Sequence, residues 1–212
     1  MYKESRKQLV QKLMTNNYIH SDSVKKAFLS IPRENFVSDD QKSNAYDDRP
    51  LEIGKRQTIS APHMVGIMCE ALNIQEGQHI LEIGAGSGYH AALVSQLVGR
   101  TGHVYSVERL NTLAEKARYN LEKSSITNVT VILGDGSEGL PQYAPYDSIY
   151  VTCAAPSIPQ PLITQLKDHG KLLIPVGSMY CTLQLIEKKG KDLEIKDLGG
   201  CVFVPLVGKY GH

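Results

Sequence analysis

Glu82, Gly84, Gly86 and Gly88 stand at alternate positions, directly after the apolar run His79-Ile80-Leu81 and directly before a helix-forming segment from Tyr89 to Val98. A strand that ends in alternate glycines turns sharply and lets backbone approach a ligand with no side chain in the way, with helix N–H groups at hand. The other reading of such a run is a tight strand-to-helix turn that holds nothing. A dinucleotide fingerprint, G-x-G-x-x-G, wants its third glycine where Tyr89 stands. Two acidic residues add to the pattern. Glu108 ends the run Val104 to Val107, about twenty residues past the glycines, where a second parallel strand should terminate. Gly134-Asp135-Gly136 follows the β-rich run Val129 to Leu133. Taken singly, Glu108 could be a solvated charge beside Arg109 and Asp135 an ordinary Asp-Gly turn. Three such positions in order point to one ligand at the carboxyl edge of an open α/β sheet.

The spacing E-x-G-x-G-x-G resembles the first motif of the S-adenosylmethionine-dependent methyltransferases, whose ligand carries a sulfonium, an amino acid and a nucleoside but no pyrophosphate. That resemblance gives the acidic residues roles. Glu108 could take both ribose hydroxyls, Asp135 could accept from an exocyclic amine with Gly136 backbone at the adenine edge, and Glu82 could meet the amino end. A strand-end ion pair is the alternative for Glu82.

A second block is more specific. Ala45-Tyr46-Asp47-Asp48-Arg49-Pro50-Leu51, Ile53-Gly54 and Gln57-Thr58-Ile59-Ser60-Ala61-Pro62-His63-Met64 look like the signature of the protein-L-isoaspartate O-methyltransferases. Ile31 to Val37, Gly84 to Tyr89, Val107 to Arg109, Gly134 to Ser137, Ala144 to Asp147, Val151 to Pro156, Ile174 to Gly177 and Phe203 to Leu206 are similar to segments of that family in its order, so the likeness covers nearly the whole chain. Two positions depart from it: the family usually has proline where Glu52 stands and glycine where Arg56 stands. Both lie in the loop expected to close on substrate. Arg56 could add a cation near an acidic peptide or could point to solvent.

The resemblance implies methyl transfer from S-adenosyl-L-methionine to the free α-carboxylate of L-isoaspartyl residues in damaged proteins and peptides, with the ester product collapsing to a succinimide. It implies a cofactor site of Glu82, Gly84, Ala85, Gly86, Gly88, Glu108, Asp135, Gly136 and His63, and substrate contacts from Thr58, Ile59, Ser60 and Val207. No metal is implied. An α-carboxyl group has a reference pKa of about 3.5, so the nucleophile is ionised at neutral pH and needs orientation rather than a base. Ser60 is the residue expected to orient it, acting catalytically; as the residue before Ala61 it could equally cap a helix. His63 could instead pack in that helix's first turn. Two other functions share the motifs: a noncatalytic S-adenosylmethionine-binding module that recognises damaged protein, and a methyltransferase of RNA or a small molecule.

These residues need a scaffold, and the apolar periodicity supplies one. Leu9, Val10, Leu13 and Met14, then Val24, Phe28 and Ile31, repeat at helical spacing. From Ser38 to Ile59 there is no sustained period, and a helix begins at Ser60 with Pro62 in its first turn. Strands are expected near 80–83, 104–107, 129–133, 148–151 and 171–174, with helices near 89–98, 110–123 and 160–167. A final pair, near 182–187 and 202–206, should be antiparallel because the charged turn Lys188 to Asp192 follows the first of them. The expectation is an α/β, Rossmann-like methyltransferase fold: a central, mostly parallel sheet flanked by helices, an N-terminal helical extension and C-terminal antiparallel strands. One domain over 1–212 accommodates this, with the helices and substrate loop in 1–60 and the cofactor core in 61–212.

Composition is that of a globular protein: 212 residues, 42% hydrophobic and 21% charged. A formal net charge of +1 gives no electrostatic case for nucleic acid or anionic membrane. The cysteines, Cys69, Cys153, Cys181 and Cys201, are too dispersed for a zinc motif. The charged N-terminus leads into no apolar stretch of signal-peptide length, so the cytoplasm is the expected compartment.

Overall fold

The computed structural model describes residues 2–178 and 180–212. Helices α1 (Tyr2–Thr15) and α2 (Asp22–Ser30) come first, the second capped by the Ser21 side chain, which accepts from the Val24 N–H. A short hairpin of β1 (Leu51–Gly54) and β2 (Gln57–Ile59) precedes α3 (Pro62–Leu72). The alternation then runs β3 (His79–Ile83), α4 (Tyr89–Val98), β4 (His103–Glu108), α5 (Asn111–Lys123), β5 (Val129–Leu133), β6 (Tyr146–Val151), α6 (Gln160–Thr164), β7 (Leu166–Gly177), β8 (Cys181–Lys189) and β9 (Asp192–Cys201).

The main sheet has the order β5-β4-β3-β6-β7-β8-β9. From β5 to β7 the neighbours are parallel; β8 and β9 are antiparallel additions. The chain leaves β3 toward β4 on one side, and β6 returns on the other. A crevice therefore opens over the carboxyl ends of β3 and β6, where ligands bind in folds of this kind. Apolar residues pack on both faces. One cluster joins the N-terminal helices to α4 and α5, and the other holds the α6 side together around Leu81, Ile149 and Leu172.

Three expected elements differ. The last strand is β9 rather than 202–206. Residues past Cys201 instead fold back over the end of β6, where the Ala154 N–H donates to the Val204 carbonyl at 2.8 Å and the Leu206 N–H to the Ala154 carbonyl at 2.7 Å. Pro205, which has no N–H, makes only an isolated bridge with Ala154. The helix near 160–167 stops at Thr164, because β7 starts at Leu166. Ser60 does not cap α3. The N-cap is Ala61, with no side-chain hydrogen bond, and Asp48 accepts the first-turn N–H of His63 at 2.9 Å.

The stretch 38–59 is also more ordered than its composition implies. In the β1–β2 hairpin Gly54 pairs with Gln57, and the two turn residues Lys55 and Arg56 both sit at positive φ, 54° and 58°. Such two-residue turns favour glycine, asparagine or aspartate, and this one uses neither. Ile53 then packs on the glycine loop: a side chain at Gly86 would bring Cβ to 3.3 Å from Ile53 Cδ1.

Candidate active site

The glycine loop ends β3 in the shape its sequence suggests. Gly84, Gly86 and Gly88 have φ of 95°, 53° and 84°, and a Cβ on Gly84 would collide with Thr152 Oγ1 at 2.3 Å. Thr152 holds that turn from β6, its hydroxyl donating to the Gly84 carbonyl at 2.7 Å. The Gly86 N–H donates to Glu108 at 3.0 Å, and the other Glu108 oxygen accepts from Leu110 N–H at 3.0 Å. The cradle and the end of β4 are thus a single hydrogen-bonded unit.

A cleft of about 790 Å³ of empty space, partly open to solvent, lies over these strand ends. Of the residues singled out from sequence, Glu82, Gly84, Ala85, Gly86, Glu108 and Gly136 border it on the sheet side; Thr58, Ile59 and Ser60 border it from β2 and the α3 entry, and Val207 from the C-terminal segment. Gly88, Asp135 and His63 are not on its wall. Gly88 turns inward instead, where a Cβ would press on Ala117 and Leu121 of α5. His63 pairs through Nδ1 with Asp48 at 2.9 Å and lies with its ring tilted against Tyr18, so it fastens the loop before β1 to α3.

Asp135 is engaged by the chain's last residues. Its Oδ1 accepts from the Ser137 N–H and hydroxyl, and its Oδ2 accepts from the Lys209 N–H at 2.8 Å. Partial burial would raise its pKa, but the donors from Lys209 and Ser137 outweigh burial and hold the carboxyl below the usual range. Asp135 borders a neighbouring pocket with Ile132, Leu133 and Gly134 rather than this cleft, and its side chain tethers the C-terminal segment.

Glu82 is completely buried and has no cation beside it among the described residues. Tyr150 donates its hydroxyl to Oε1 at 2.9 Å and Ser106 donates to Oε2. Burial pushes the carboxyl up to about 8 in spite of those two donors. A buried carboxylate that faces a cleft and lacks a counter-charge suits a ligand that brings a cation. His90 borders the same cleft with Nδ1 buried and unpartnered, and burial lowers its pKa to about 3, so it is neutral.

The cleft therefore fits an amino acid joined to a nucleoside: a counter-charge-seeking carboxylate, a glycine floor and a second strand-end carboxylate follow one another along it. Sequence reasoning left several wall residues without a role. Thr152 and Cys153 lie in the block Val151 to Pro156, and Val204 to Leu206 in the block Phe203 to Leu206, both of which had matched family segments without any residue standing out. Arg33, fully buried behind Ser60, was missed as well; burial lowers its pKa, partly offset by Tyr89, and its Nη2 donates to the Ser60 carbonyl at 2.8 Å.

Together the sheet order, the glycine cradle and the strand-end carboxylates define the S-adenosylmethionine-dependent methyltransferase class. Comparison narrows it. Residues 4–211 match the family model described as protein-L-isoaspartate(D-aspartate) O-methyltransferase, and the chain belongs to that family. A protein-L-isoaspartate O-methyltransferase of Hyperthermus butylicus is 50% identical over 99% of this chain and 91% of its own. One of Methanocella arvoryzae is 56% identical over 85% of this chain and 96% of its own. A solved protein-L-isoaspartate O-methyltransferase superposes with a TM-score of 0.90 at 34% identity, over 97% of this chain and 67% of that one. The fold is shared too by a Plasmodium falciparum structure solved with S-adenosyl-L-homocysteine, with a TM-score of 0.85 at 24% identity, over 95% of this chain and 98% of that one. Among the described residues no helix is long and apolar enough to cross a membrane.

Proposed function

We propose that this protein methylates the free α-carboxylate of L-isoaspartyl residues in damaged proteins and peptides, using S-adenosyl-L-methionine, and so starts their repair through a succinimide. Family membership supports the reading, and one observation carries it to these residues. Ser60, whose hydroxyl caps no helix, shares the wall of one cleft with Glu82, Gly84 and Glu108.

When bound, the cofactor supplies a methyl group on a positively charged sulfur. Glu82 would hold its amino end, ionising as the cation arrives. The glycines keep the floor clear, and Glu108 retains lone pairs for ribose hydroxyls after accepting one N–H on each oxygen. Gly136 borders the nucleoside end. Ser60 would orient the substrate carboxylate through its hydroxyl, with Thr58, Ile59 and Val207 along the peptide. No residue has to remove a proton, since the carboxylate is ionised at neutral pH. Positioning and exclusion of water do the work, because the reaction joins an anion to a cation and leaves neither. We place the enzyme in the cytoplasm, acting as one methyltransferase domain on isoaspartyl proteins rather than on nucleic acid or at a membrane.

Transfer of labelled methyl from S-adenosylmethionine to an isoaspartyl peptide tests this, with the matching aspartyl peptide and RNA alongside. Label only in the isoaspartyl peptide is the expected result; none there, or label in RNA, refutes the reading.

A further inference from the structure

Arg33 is among the largest side chains in the protein with no solvent exposure. Nη2 donates to the Ser60 carbonyl, while among the described residues Nε and Nη1 are buried with no partner in hydrogen-bond geometry, the Tyr89 side chain being the polar group that most favours the charge. No carboxylate forms an ion pair with it among the described residues. Its neighbour Glu34 is taken by Arg6 and Tyr46, and Asp48, which attracts it from farther off, by His63. The guanidinium carbon lies 4.8 Å from the centre of the Tyr89 ring, a contact that compensates a buried cation only in part. An unpaired charge inside a protein is strongly unfavourable unless an anion completes it. Ser60 and Tyr89, the two residues that Arg33 backs, both border the cleft.

We propose that Arg33 is a positioning and anion-selecting residue of the substrate subsite: from behind Ser60 it fixes the backbone that presents the hydroxyl, and its charge favours a carboxylate there over a neutral group. This rests on the reading of the cleft as a carboxylate-methylating site. The direction of the kinetic effect follows from the charge. The carboxylate loses its charge as the methyl arrives, so a cation behind it stabilises bound substrate more than transition state. Arg33 thus acts through substrate affinity, and its loss raises KM without lowering kcat, which stays level or rises.

The test uses Arg33→Gln and Arg33→Lys, both long enough to donate to the Ser60 carbonyl. With S-adenosyl-L-homocysteine bound, calorimetry gives the ratio of affinities for an isoaspartyl peptide and for the same peptide with that α-carboxylate converted to carboxamide. The charge is expected to contribute on the order of tenfold to the ratio. Arg33→Gln should lose that factor and raise KM to match, and Arg33→Lys should recover most of it. A purely structural residue would weaken both ligands alike, so an unchanged ratio in Arg33→Gln overturns the proposal. If Arg33→Gln does not fold, Ser60→Ala replaces it, because that variant keeps the carbonyl contact: some preference for carboxylate should persist, and its complete loss overturns the proposal. A wild-type protein that binds neither peptide refutes the underlying reading itself, which separates the two failures.

Discussion

Asp135, at the end of β5, accepts the N–H of Lys209 at 2.8 Å across 74 residues of chain. The same carboxylate gathers Ser137, whose hydroxyl in turn accepts the Tyr210 N–H at 3.0 Å. Asp135→Ala should cost about 2 kcal/mol in denaturant unfolding, since it removes several bonds to a charged acceptor. Hydrogen exchange should quicken at Lys209 and Tyr210 first. Unchanged exchange there would mean that the segment is held by its contacts with Ala154, Ser137 and Glu138 instead.

Glu82 makes stability depend on pH in an identifiable window. Its folded pKa of about 8 lies above the ordinary value of about 4.3, so between those two values the folded state keeps a proton that the unfolded state has released. The ligand-free protein should therefore lose stability as pH rises from about 4.5 to 8. Glu82→Gln should flatten this slope and leave the variant a few kcal/mol more stable than wild type at pH 9, by thermal unfolding across pH. The same variant should bind S-adenosylmethionine more weakly, and wild-type affinity should climb toward pH 8 with proton release in calorimetry.

Arg56 pays for a left-handed backbone without glycine's freedom. Arg56→Gly should stabilise the protein by about 1 kcal/mol through the turn alone. The side chain is exposed and off the cleft wall, so KM for an isoaspartyl peptide should stay within about twofold. A large rise in KM would place the cation in peptide recognition instead.

Ser60→Ala should lower turnover on an isoaspartyl peptide by about tenfold or more while cofactor affinity holds, because only the substrate loses a partner. Glu108→Ala should do the reverse, weakening cofactor binding by about 2 kcal/mol in calorimetry. Equal loss of both quantities in both variants would point to collapse of the cleft rather than to separate roles.

Legibility in the sequence followed burial and distance along the chain. Strands β3 to β6 are apolar runs because helices cover both faces, and their alternation with α4 and α5 made the parallel sheet readable. β9 was hidden by its own exposure: Asp192, Glu194, Lys196 and Asp197 make an edge strand look like a loop, and the apolar stretch after Cys201 drew the assignment instead. The β1–β2 hairpin was hidden because Lys55 and Arg56 fill a turn that ordinarily announces itself with glycine or asparagine. Glu82, Gly84, Gly86 and Glu108 were legible as cleft candidates because they lie at or just past the ends of β3 and β4. The contacts of Asp135 and His63 with Lys209 and Asp48, at 74 and 15 residues' separation, were not legible, because nothing local in the sequence announces partners so far along the chain. Arg33 lies in the block Ile31 to Val37 that resembled the family, but nothing in the block singled it out, since its neighbours mark a helix end and its setting depends on what surrounds it in space.

The segment from Val204 to Val207 forms one wall of the cleft and reaches it only by crossing the end of β6. Every other wall residue precedes it in the chain. The sheet from β3 to β7 is complete in sequence before that wall begins, so the scaffold and the enclosure of the site are built from separate stretches of chain. Completion of the cleft therefore depends on a segment that follows every strand of the sheet in chain order.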